Sequence, residues 1–360
     1  ANLKVSHSKM KYTTAFIAAL ATAVSGTKIE VGDEFIPLNL QKIADEVNAQ
    51  ELSWKAVVHP RFQNATVADA KRILGTILSG EEGYKAPEVM REVFAAGDIP
   101  EAFDSRDAFS ACANIIGHVR DQSNCGSCWA FSSTESFNDR YCMATGDAST
   151  LMAPEDTVSC CSGIHCSFSM GCNGGQPAGA WKWFTQTGVT TGGDNSDVGT
   201  GNSCKPYSMT SCAHHVEPSG DMPACDDVES YSTPKCTSSC NEATYATPFA
   251  DDKHFAKTSY GIKGEENMQR EIMEKGPISV AFTVYEDFEA YSSGVYQHVS
   301  GKNLGGHAVK MIGWGVDNGT PYWTIVNSWN DSWGEKGLFR IVRGQNECGI
   351  ENDGVAGDVY

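Results

Sequence analysis

The sequence predicts an α+β protein in which a helical part precedes a β-rich part. From residue 128 to residue 142, selected side chains recur at spacings of four, three and four, which is typical of a helix. After residues 276 and 277, side chains alternate along short segments bounded by glycines, which is typical of strands. The helical positions are Ala130, Thr134, Phe137 and Tyr141, and the strand positions are Val309 and Met311, Tyr322, Thr324 and Val326, and Phe339 and Ile341.

The distribution of cysteines supports a division of the chain into regions with different roles. Residues 27–98 contain no cysteine, whereas residues 112–240 contain 13 of the 14. This number of cysteines favours a disulfide-bonded protein made in an oxidising compartment over a reduced cytosolic enzyme. Residues 190–255 are rich in Gly, Ser, Asp, Pro and Cys, so we expect loops held together by disulfides there.

The stretch 27–98 predicts helices. Apolar residues at spacings of three and four form one face of a first helix, and Thr66 with Asp69 forms a capping box for a second. Residues 79–83 predict a turn. The first helix has Leu40, Ile43, Ala44 and Val47 on its apolar face, and the second has a stripe of Val67, Ala70 and Leu74.

The overall composition describes a folded, acidic protein. The 360 residues carry a formal net charge of −18, so the chain repels phosphate backbones and we expect no nucleic-acid partner. Hydrophobic residues make up 41% and charged residues only 20%, which is typical of a globular protein rather than a disordered one.

The N-terminal residues 1–26 resemble a secretory signal peptide with a few residues before it. Basic residues precede an apolar run over 15–24, and small residues follow. The run has about ten residues, too few for the roughly 20 that span a bilayer, so we expect no membrane partner. The alternative is an ordinary buried N-terminal helix. The basic residues are Lys4, Lys9 and Lys11, and three N-glycosylation sequons, at Asn64, Asn318 and Asn330, fit a secreted chain.

Cys128 is the strongest candidate for a catalytic residue. It begins the predicted helix, where the positive end of the helix dipole favours the thiolate form. His307 follows two glycines that let a substrate backbone approach closely, and an imidazolium stabilises a neighbouring thiolate. Asn327 can orient the imidazole, and the Gln122 amide can donate to an oxyanion beside the Cys128 N–H. Cys125 and Cys128 also form a C-x-x-C pair, for which a redox pair or half of a zinc site is the alternative.

Around these residues the chain resembles the papain family of cysteine peptidases, and within it the cathepsin B group. The matching segments are 122–131, 305–315, 322–333 and 348–357, together with Cys172-Asn173-Gly174-Gly175, which resembles the S1-wall motif. The resemblance implies a papain-like fold with a helical domain, a β-barrel-like domain and a helical N-terminal propeptide. It divides the chain into an inhibitory propeptide at 27–98 and a mature peptidase domain at 99–360.

The resemblance also implies a set of site residues. Cys128 is the nucleophile, His307 the acid/base, Asn327 the group that orients it and Gln122 the oxyanion donor. The substrate-binding residues are Gly174, Gly175, Gly306 and Trp329, with Asp353 at the base of the S2 pocket, where the family has a Glu.

An occluding loop at 212–225 characterises the cathepsin B group. The resemblance implies that His214 and His215 bind the substrate's terminal carboxylate, which gives removal of C-terminal dipeptides, and that Asp121 anchors the loop through His214. A second ion pair of the family is absent here, because Met222 and Ser332 replace its partners. The loop is also two residues longer, so we expect it to open more easily and endopeptidase activity to be relatively greater.

The resemblance further implies the disulfide pairing and leaves Cys128 and Cys348 as free thiols. The implied pairs are Cys112–Cys142, Cys125–Cys172, Cys160–Cys236, Cys161–Cys166, Cys204–Cys240 and Cys212–Cys225.

These inferences describe a peptidase made as a zymogen, with no metal and no organic cofactor. Its partners are peptide and protein substrates, its own propeptide as an intramolecular inhibitor, and inhibitors of the cystatin type; we expect a monomer in a lysosome-like or extracellular compartment. One alternative is a catalytically silent, disulfide-rich binding protein on the same scaffold, but all four catalytic residues are present. A serine peptidase or metalloenzyme lacks support, because neither G-x-S-x-G nor H-E-x-x-H occurs.

Overall fold

The computed structural model of the chain describes residues 29–78 and 99–359, except residues 215, 221, 226 and 229–231. The expected signal peptide and the turn at 79–83 lie outside the described residues, as does His215.

Eight α-helices and nine strands form the described part of the fold. The helices are α1 (Leu40–Asn48), α2 (Val67–Lys71), α3 (Ser105–Ala108), α4 (Ala113–Ile116), α5 (Cys128–Thr145), α6 (Pro154–Cys160), α7 (Pro177–Gln186) and α8 (Glu265–Lys275). The strands are β1 (Trp54–Ala56), β2 (Phe103–Asp104), β3 (Tyr260–Ile262), β4 (Ile278–Tyr285), β5 (Tyr291–Tyr296), β6 (Asn303–Asp317), β7 (Thr320–Val326), β8 (Leu338–Val342) and β9 (Gly354–Ala356).

The strands form one sheet in the order β1-β5-β8-β7-β6-β4-β9-β3, and β2 pairs with β6. All described strand pairs are antiparallel except β5 with β8. Most strands follow the helices along the chain, so the structure agrees with the predicted α+β class. Because β6 pairs with both β4 and β7, its residues hold a fixed position at the centre of the sheet.

Helix α5 packs along the sheet and carries the predicted nucleophile at its first residue. Of its 18 residues, 14 are buried, so little of the helix is exposed to solvent. Its buried polar side chains are paired with the sheet and with α8: the Ser132 and Ser279 hydroxyls lie 2.8 Å apart, and Arg140 Nη2 donates to Glu271 Oε1 at 2.9 Å. These bonds are consistent with the rule that buried polar groups are hydrogen-bonded. The Ser132–Ser279 contact fixes the first half of α5 relative to β4, and the Arg140–Glu271 pair fixes its second half relative to α8.

Residues 29–78, the described part of the stretch expected to be the propeptide and called the propeptide region below, contain the predicted helices and a strand that the sequence did not indicate. All four predicted face residues of α1 are buried, and Thr66 and Asp69 form the predicted capping box. Strand β1 pairs antiparallel with β5 at the edge of the sheet, with Trp54 stacked on Tyr291. Three residues are too few for a strand period to be visible in the sequence, and the pairing partner lies far along the chain.

Two details of the sequence prediction were wrong. Leu74 is buried but follows α2, which ends at Lys71. Strand β6 has 15 residues and is not short, because both of its edges are paired. The predicted strand positions Tyr322, Thr324 and Val326 do lie in β7, where Val326 is buried and the other two are half-buried.

The stretch 190–255 consists of loops in its described part, apart from the 3-10 turn Asn195–Asp197. Disulfides hold these loops to one another and to α6. The six disulfides of the structure are the pairs that the resemblance implies: Cys112–Cys142, Cys125–Cys172, Cys160–Cys236, Cys161–Cys166, Cys204–Cys240 and Cys212–Cys225. Cys128 and Cys348 are free thiols. Within the described ranges, no helix is both long and apolar enough to cross a membrane.

Candidate active site

Cys128 is fully buried at the N-terminus of α5. Burial alone would raise the pKa of its thiol. The charge of the neighbouring His307, together with the Thr76 hydroxyl and the Ala308 N–H, outweighs burial and lowers the pKa of Cys128 to about 7. The unpaired N–H groups of the first helical turn act in the same direction. The site therefore favours a thiolate near neutral pH, as a nucleophile requires.

His307 lies in β6, and Asn327 directly follows β7, the neighbouring strand. His307 Nε2 donates to Asn327 Oδ1 at 2.7 Å, which leaves Nδ1 as the ring nitrogen for the thiol. The Trp329 ring stacks on the imidazole with centroids 4.7 Å apart and is fully buried. The structure thus brings together three residues that lie up to 199 positions apart in the sequence, with an indole shielding the His307–Asn327 bond from water.

The Gln122 side chain is fixed at both ends. Its Oε1 accepts a hydrogen bond from the Ser328 hydroxyl at 2.7 Å, which orients the amide so that Nε2 acts as the donor. Nε2 donates to the Cys125 carbonyl at 2.7 Å and to the Ile73 carbonyl of the propeptide region at 2.9 Å. The Gln122 amide therefore donates to the carbonyl oxygen of Ile73, a residue of a separate peptide segment bound at the site.

Residues 73–77, which we call the covering segment, lie across the side chain of Cys128. The Gly75 N–H donates to Cys128 Sγ at 3.3 Å, and the Thr76 hydroxyl lies 3.1 Å from the same sulfur. A hypothetical Cβ at Gly75 would lie 1.8 Å from the carbonyl oxygen of Gly126. Only a glycine allows the covering segment to approach the start of α5 this closely.

Two predicted glycines of the cleft walls bind the covering segment through their backbones. The Gly175 N–H donates to the Gly75 carbonyl at 2.8 Å on one wall, and the Thr76 N–H donates to the Gly306 carbonyl at 3.0 Å on the other. A Cβ at Gly306 would lie 2.2 Å from the Thr76 oxygen, so its glycine permits a close peptide backbone. Gly174 has a positive φ of 111° and shapes the turn before Gly175.

His214 of the loop is fully buried and bonded on both ring nitrogens. Nε2 donates to Asp121 Oδ1 at 2.8 Å, and Nδ1 accepts from Arg61 Nη1 of the propeptide region at 2.8 Å. Burial lowers the pKa of His214, and the charges of Arg61 and His307 lower it further against the opposing effect of Asp121. Burial alone would raise the pKa of Asp121, but the His214 interaction and further hydrogen bonds lower it. His214 is neutral while Arg61 is bound to it, because its Nδ1 accepts the guanidinium hydrogen bond and carries no proton.

Asn330 is a loop-holding residue that sequence reasoning missed. Its Nδ2 donates to the Cys212 carbonyl at 2.8 Å and to Asp121 Oδ2 at 3.1 Å, and its Oδ1 accepts from the Ser332 hydroxyl. Asn330 therefore ties the start of the loop to Asp121. The sequence presented Asn330 as a sequon, but its side chain is buried in these bonds; its positive φ of 53° is visible only in the structure.

Asp353 is half-buried directly before β9, where its carbonyl accepts the Ala281 N–H of β4 at 3.1 Å. This backbone bond fixes the position of Asp353 beside the sheet.

The described residues contain one cluster with metal-ligand geometry, formed by Cys212, His214 and Cys225. Cys212 and Cys225 are bonded to each other, so neither offers a thiolate to a metal. Cys125 is bonded to Cys172, so it does not form a redox pair with Cys128. The cluster is part of the loop anchor described above.

Comparison with known proteins places this geometry in a family. The sequence profile "Papain family cysteine protease" matches residues 99–357. Cathepsin B-like cysteine proteinase 5 of Caenorhabditis elegans is 46% identical over 345 residues, which cover 94% of this chain and 95% of that protein. Cathepsin B-like cysteine proteinase 4 of the same organism is 41% identical over 353 residues, covering 97% and 99%.

A solved structure agrees with these sequence matches. The proCathepsin B S9 from Trypanosoma congolense superimposes with a TM-score of 0.74 at 34% identity, covering 90% of this chain and 99% of that one. The likeness extends over both the propeptide region and the domain with the cleft. The chain therefore belongs to the papain family of cysteine proteases, within its cathepsin B-like group.

Proposed function

We propose that this chain is the zymogen of a cathepsin B-like peptidase that cleaves peptide bonds through a thioester on Cys128. The observation that carries this proposal is the covering segment: a peptide backbone lies on Cys128 Sγ, is held by both cleft walls and has a carbonyl on Gln122. A substrate backbone bound to the same groups would present its carbonyl carbon to the sulfur.

In the acylation step, the thiolate of Cys128 attacks the scissile carbonyl carbon. The carbonyl oxygen becomes an oxyanion that accepts hydrogen bonds from Gln122 Nε2 and the Cys128 N–H. His307, as imidazolium, gives its Nδ1 proton to the leaving nitrogen; the C–N bond breaks and the amine departs. The acyl group stays on sulfur as a thioester.

Deacylation returns the enzyme to its starting state. His307 takes a proton from water, the resulting hydroxide attacks the thioester carbon, and the carboxylic acid product leaves as the C–S bond breaks. The Asn327 oxygen keeps the imidazole oriented through both steps, because its bond to Nε2 fixes which nitrogen faces the sulfur.

The propeptide 27–98 blocks this chemistry until it is removed. The covering segment occupies the sulfur, the oxyanion donor and both walls, while β1 anchors the propeptide to the sheet edge. Cleavage near residues 97–99 would release a mature enzyme that begins near Ile99. This arrangement suits a secretory protein that is activated in an acidic, lysosome-like or extracellular compartment.

The loop gives the enzyme a second activity, removal of C-terminal dipeptides. After the propeptide leaves, His214 loses Arg61 and can present a charged donor to a terminal carboxylate, together with His215. Of the two ion pairs that anchor this loop in the family, this chain has the partners of one, Asp121 and His214, and Asn330 supplements it. Because the Asp121–His214 contact and Asn330 still hold the loop, we propose a moderate gain in endopeptidase activity rather than a complete change.

Asp353 completes the proposed specificity by pairing with an Arg at P2. Its carboxylate is one methylene shorter than the Glu of the family, so its reach is reduced. A peptide series with Arg, Phe and Leu at P2 tests this role, and indifference to Arg would remove Asp353 from the site.

One experiment tests the main proposal. The full zymogen is incubated at acid pH, the loss of residues before about 99 is followed by mass, and cleavage of internal and C-terminal dipeptide substrates is measured. We expect both activities to appear with processing, and both to be absent in Cys128→Ser. Processing without peptidase activity would refute the proposal and favour a silent binding protein.

A further inference from the structure

Glu289 is a buried acid that the mechanism above does not use. It lies in the 3-10 helix Glu286–Ala290 after β4 and is fully buried. Neither of its carboxylate oxygens has a hydrogen-bond partner within the described residues. Burial raises the pKa of Glu289 to about 8, against the opposing charge of Arg61. Buried carboxylates usually have a partner, so this one points to a missing ligand.

The neighbours of Glu289 place it in the wall beside the catalytic imidazole. The preceding residue, Phe288, packs against Trp329 with ring centroids 5.9 Å apart, and Trp329 stacks on His307. The following residue, Ala290, accepts a backbone hydrogen bond from Val57 of the propeptide at 2.8 Å. The propeptide therefore covers this part of the wall.

Arg61 supplies the cation that faces both Glu289 and the loop. Its guanidinium donates to His214 Nδ1 at 2.8 Å, and its positive charge acts on the Glu289 carboxylate. Arg61 therefore lies near both Glu289 and the loop. Because we expect the loop to bind the C-terminal carboxylate of the departing dipeptide, we place Glu289 on the leaving-group side of the scissile bond. When the propeptide leaves, this cation leaves with it and the carboxylate stays.

We propose that Glu289 forms a subsite for a Lys or Arg side chain of the substrate on the leaving-group side of the scissile bond, and that in the zymogen the Arg61 charge lies near this subsite without bonding to the carboxylate. The proposal rests on the peptidase function proposed above and adds a substrate preference to it. A substrate cation restores the charge that Arg61 provides in the covered form, and a guanidinium also matches the geometry of a carboxylate.

The test uses the mature enzyme and internally quenched peptides with one common sequence before the scissile bond. The first or the second position after that bond carries Arg, Lys, Gln, Leu or Glu. We expect kcat/KM for Arg to exceed that for Gln about tenfold or more at one of the two positions, as a charged hydrogen bond provides. The position at which this occurs identifies the subsite.

Two variants and a matched control assign the preference to Glu289. Glu289→Gln keeps the shape and removes the charge, and Glu289→Leu gives a second replacement if the first does not fold; each should reduce the Arg-to-Gln ratio to about one. Glu286→Gln removes an acid from the same 3-10 helix, where Glu286 accepts the Lys302 N–H, and should keep the wild-type ratio. Because each Arg-to-Gln ratio compares two peptides cleaved by the same variant, changes in overall activity cancel.

The outcomes separate this proposal from the proposed function. Cleavage of all peptides without a preference for Arg or Lys overturns the subsite and leaves the peptidase intact, as does an Arg preference that persists in both Glu289 variants. Failure to cleave any peptide after propeptide removal overturns both.

Discussion

Gly75→Ala tests whether the covering segment closes the active site. The new Cβ would lie 1.8 Å from the Gly126 carbonyl oxygen, 2.4 Å from its carbon and 2.8 Å from its Cα. All three atoms belong to backbone at the start of α5, so no flexible side chain can move aside. The segment must instead shift away from Cys128.

The expected magnitude follows from the steric overlap and from the hydrogen bonds that this shift weakens. Overpacking costs about 1–3 kcal/mol, and weakening the Gly75 hydrogen bonds to Cys128 and Gly175 adds about 0.5–1.5 kcal/mol. A total of about 1.5–4.5 kcal/mol corresponds to a roughly 10- to 1,500-fold larger open fraction, at about tenfold for each 1.4 kcal/mol.

The assay is the rate at which a thiol-directed epoxide labels Cys128 in the intact zymogen at neutral pH. This rate follows the open fraction when opening is fast relative to labelling. Gln63→Ala, at an exposed propeptide position, is the control and should label like the wild type. The reasoning is refuted if the Gly75→Ala zymogen, shown to mature to full activity in acid, labels no faster than the wild type.

Three further predictions concern the catalytic groups and the response to pH. Asn327→Ala should lower kcat by about 10²–10⁴-fold, because a misoriented imidazole transfers protons poorly; steady-state kinetics of the mature enzyme checks this, and a change confined to KM would contradict it. Gln122→Ala should lower kcat by about 10²–10³-fold and leave epoxide labelling of the nucleophile in place, so equal losses of both would contradict its role as oxyanion donor. Because the pKa of His214 is lowered in the covered form, that form binds fewer protons than the open one, and opening becomes more favourable as the pH falls through the ordinary histidine value of about 6.5. Because burial also lowers this pKa, Arg61→Gln should flatten the pH dependence of zymogen labelling around that value only in part, whereas His214→Gln should remove it; an unchanged profile in His214→Gln would exclude His214 as the sensor.

The sequence predicted which residues meet at the candidate site because these residues carry local signals. Cys128 begins a helix with a clear period, His307 follows two glycines, and Asn327 precedes a serine and a tryptophan. His307 and Asn327 lie close together because β6 pairs with β7, its neighbour along the chain. The disulfide pairs came only from the family resemblance, since no local property of a cysteine identifies its partner.

The sequence could not show the contacts that join distant segments. Arg61 and His214 are 153 positions apart, and neither residue is unusual in its local sequence. The burial of Glu289 is likewise not visible in its local sequence. Asn330 looked like a glycosylation site because a sequon describes three residues and not their burial. These features arise from tertiary packing and required the structure.

The most direct test of the account is to label the acid-processed protein with a thiol-directed epoxide and to locate the label by mass. We predict one label per chain, on Cys128, with peptidase activity lost in proportion and no effect of a chelator. A label on Cys348 instead, or full turnover by the Cys128→Ser variant, would contradict the claim that a thiolate held by His307 at the start of α5 performs the reaction.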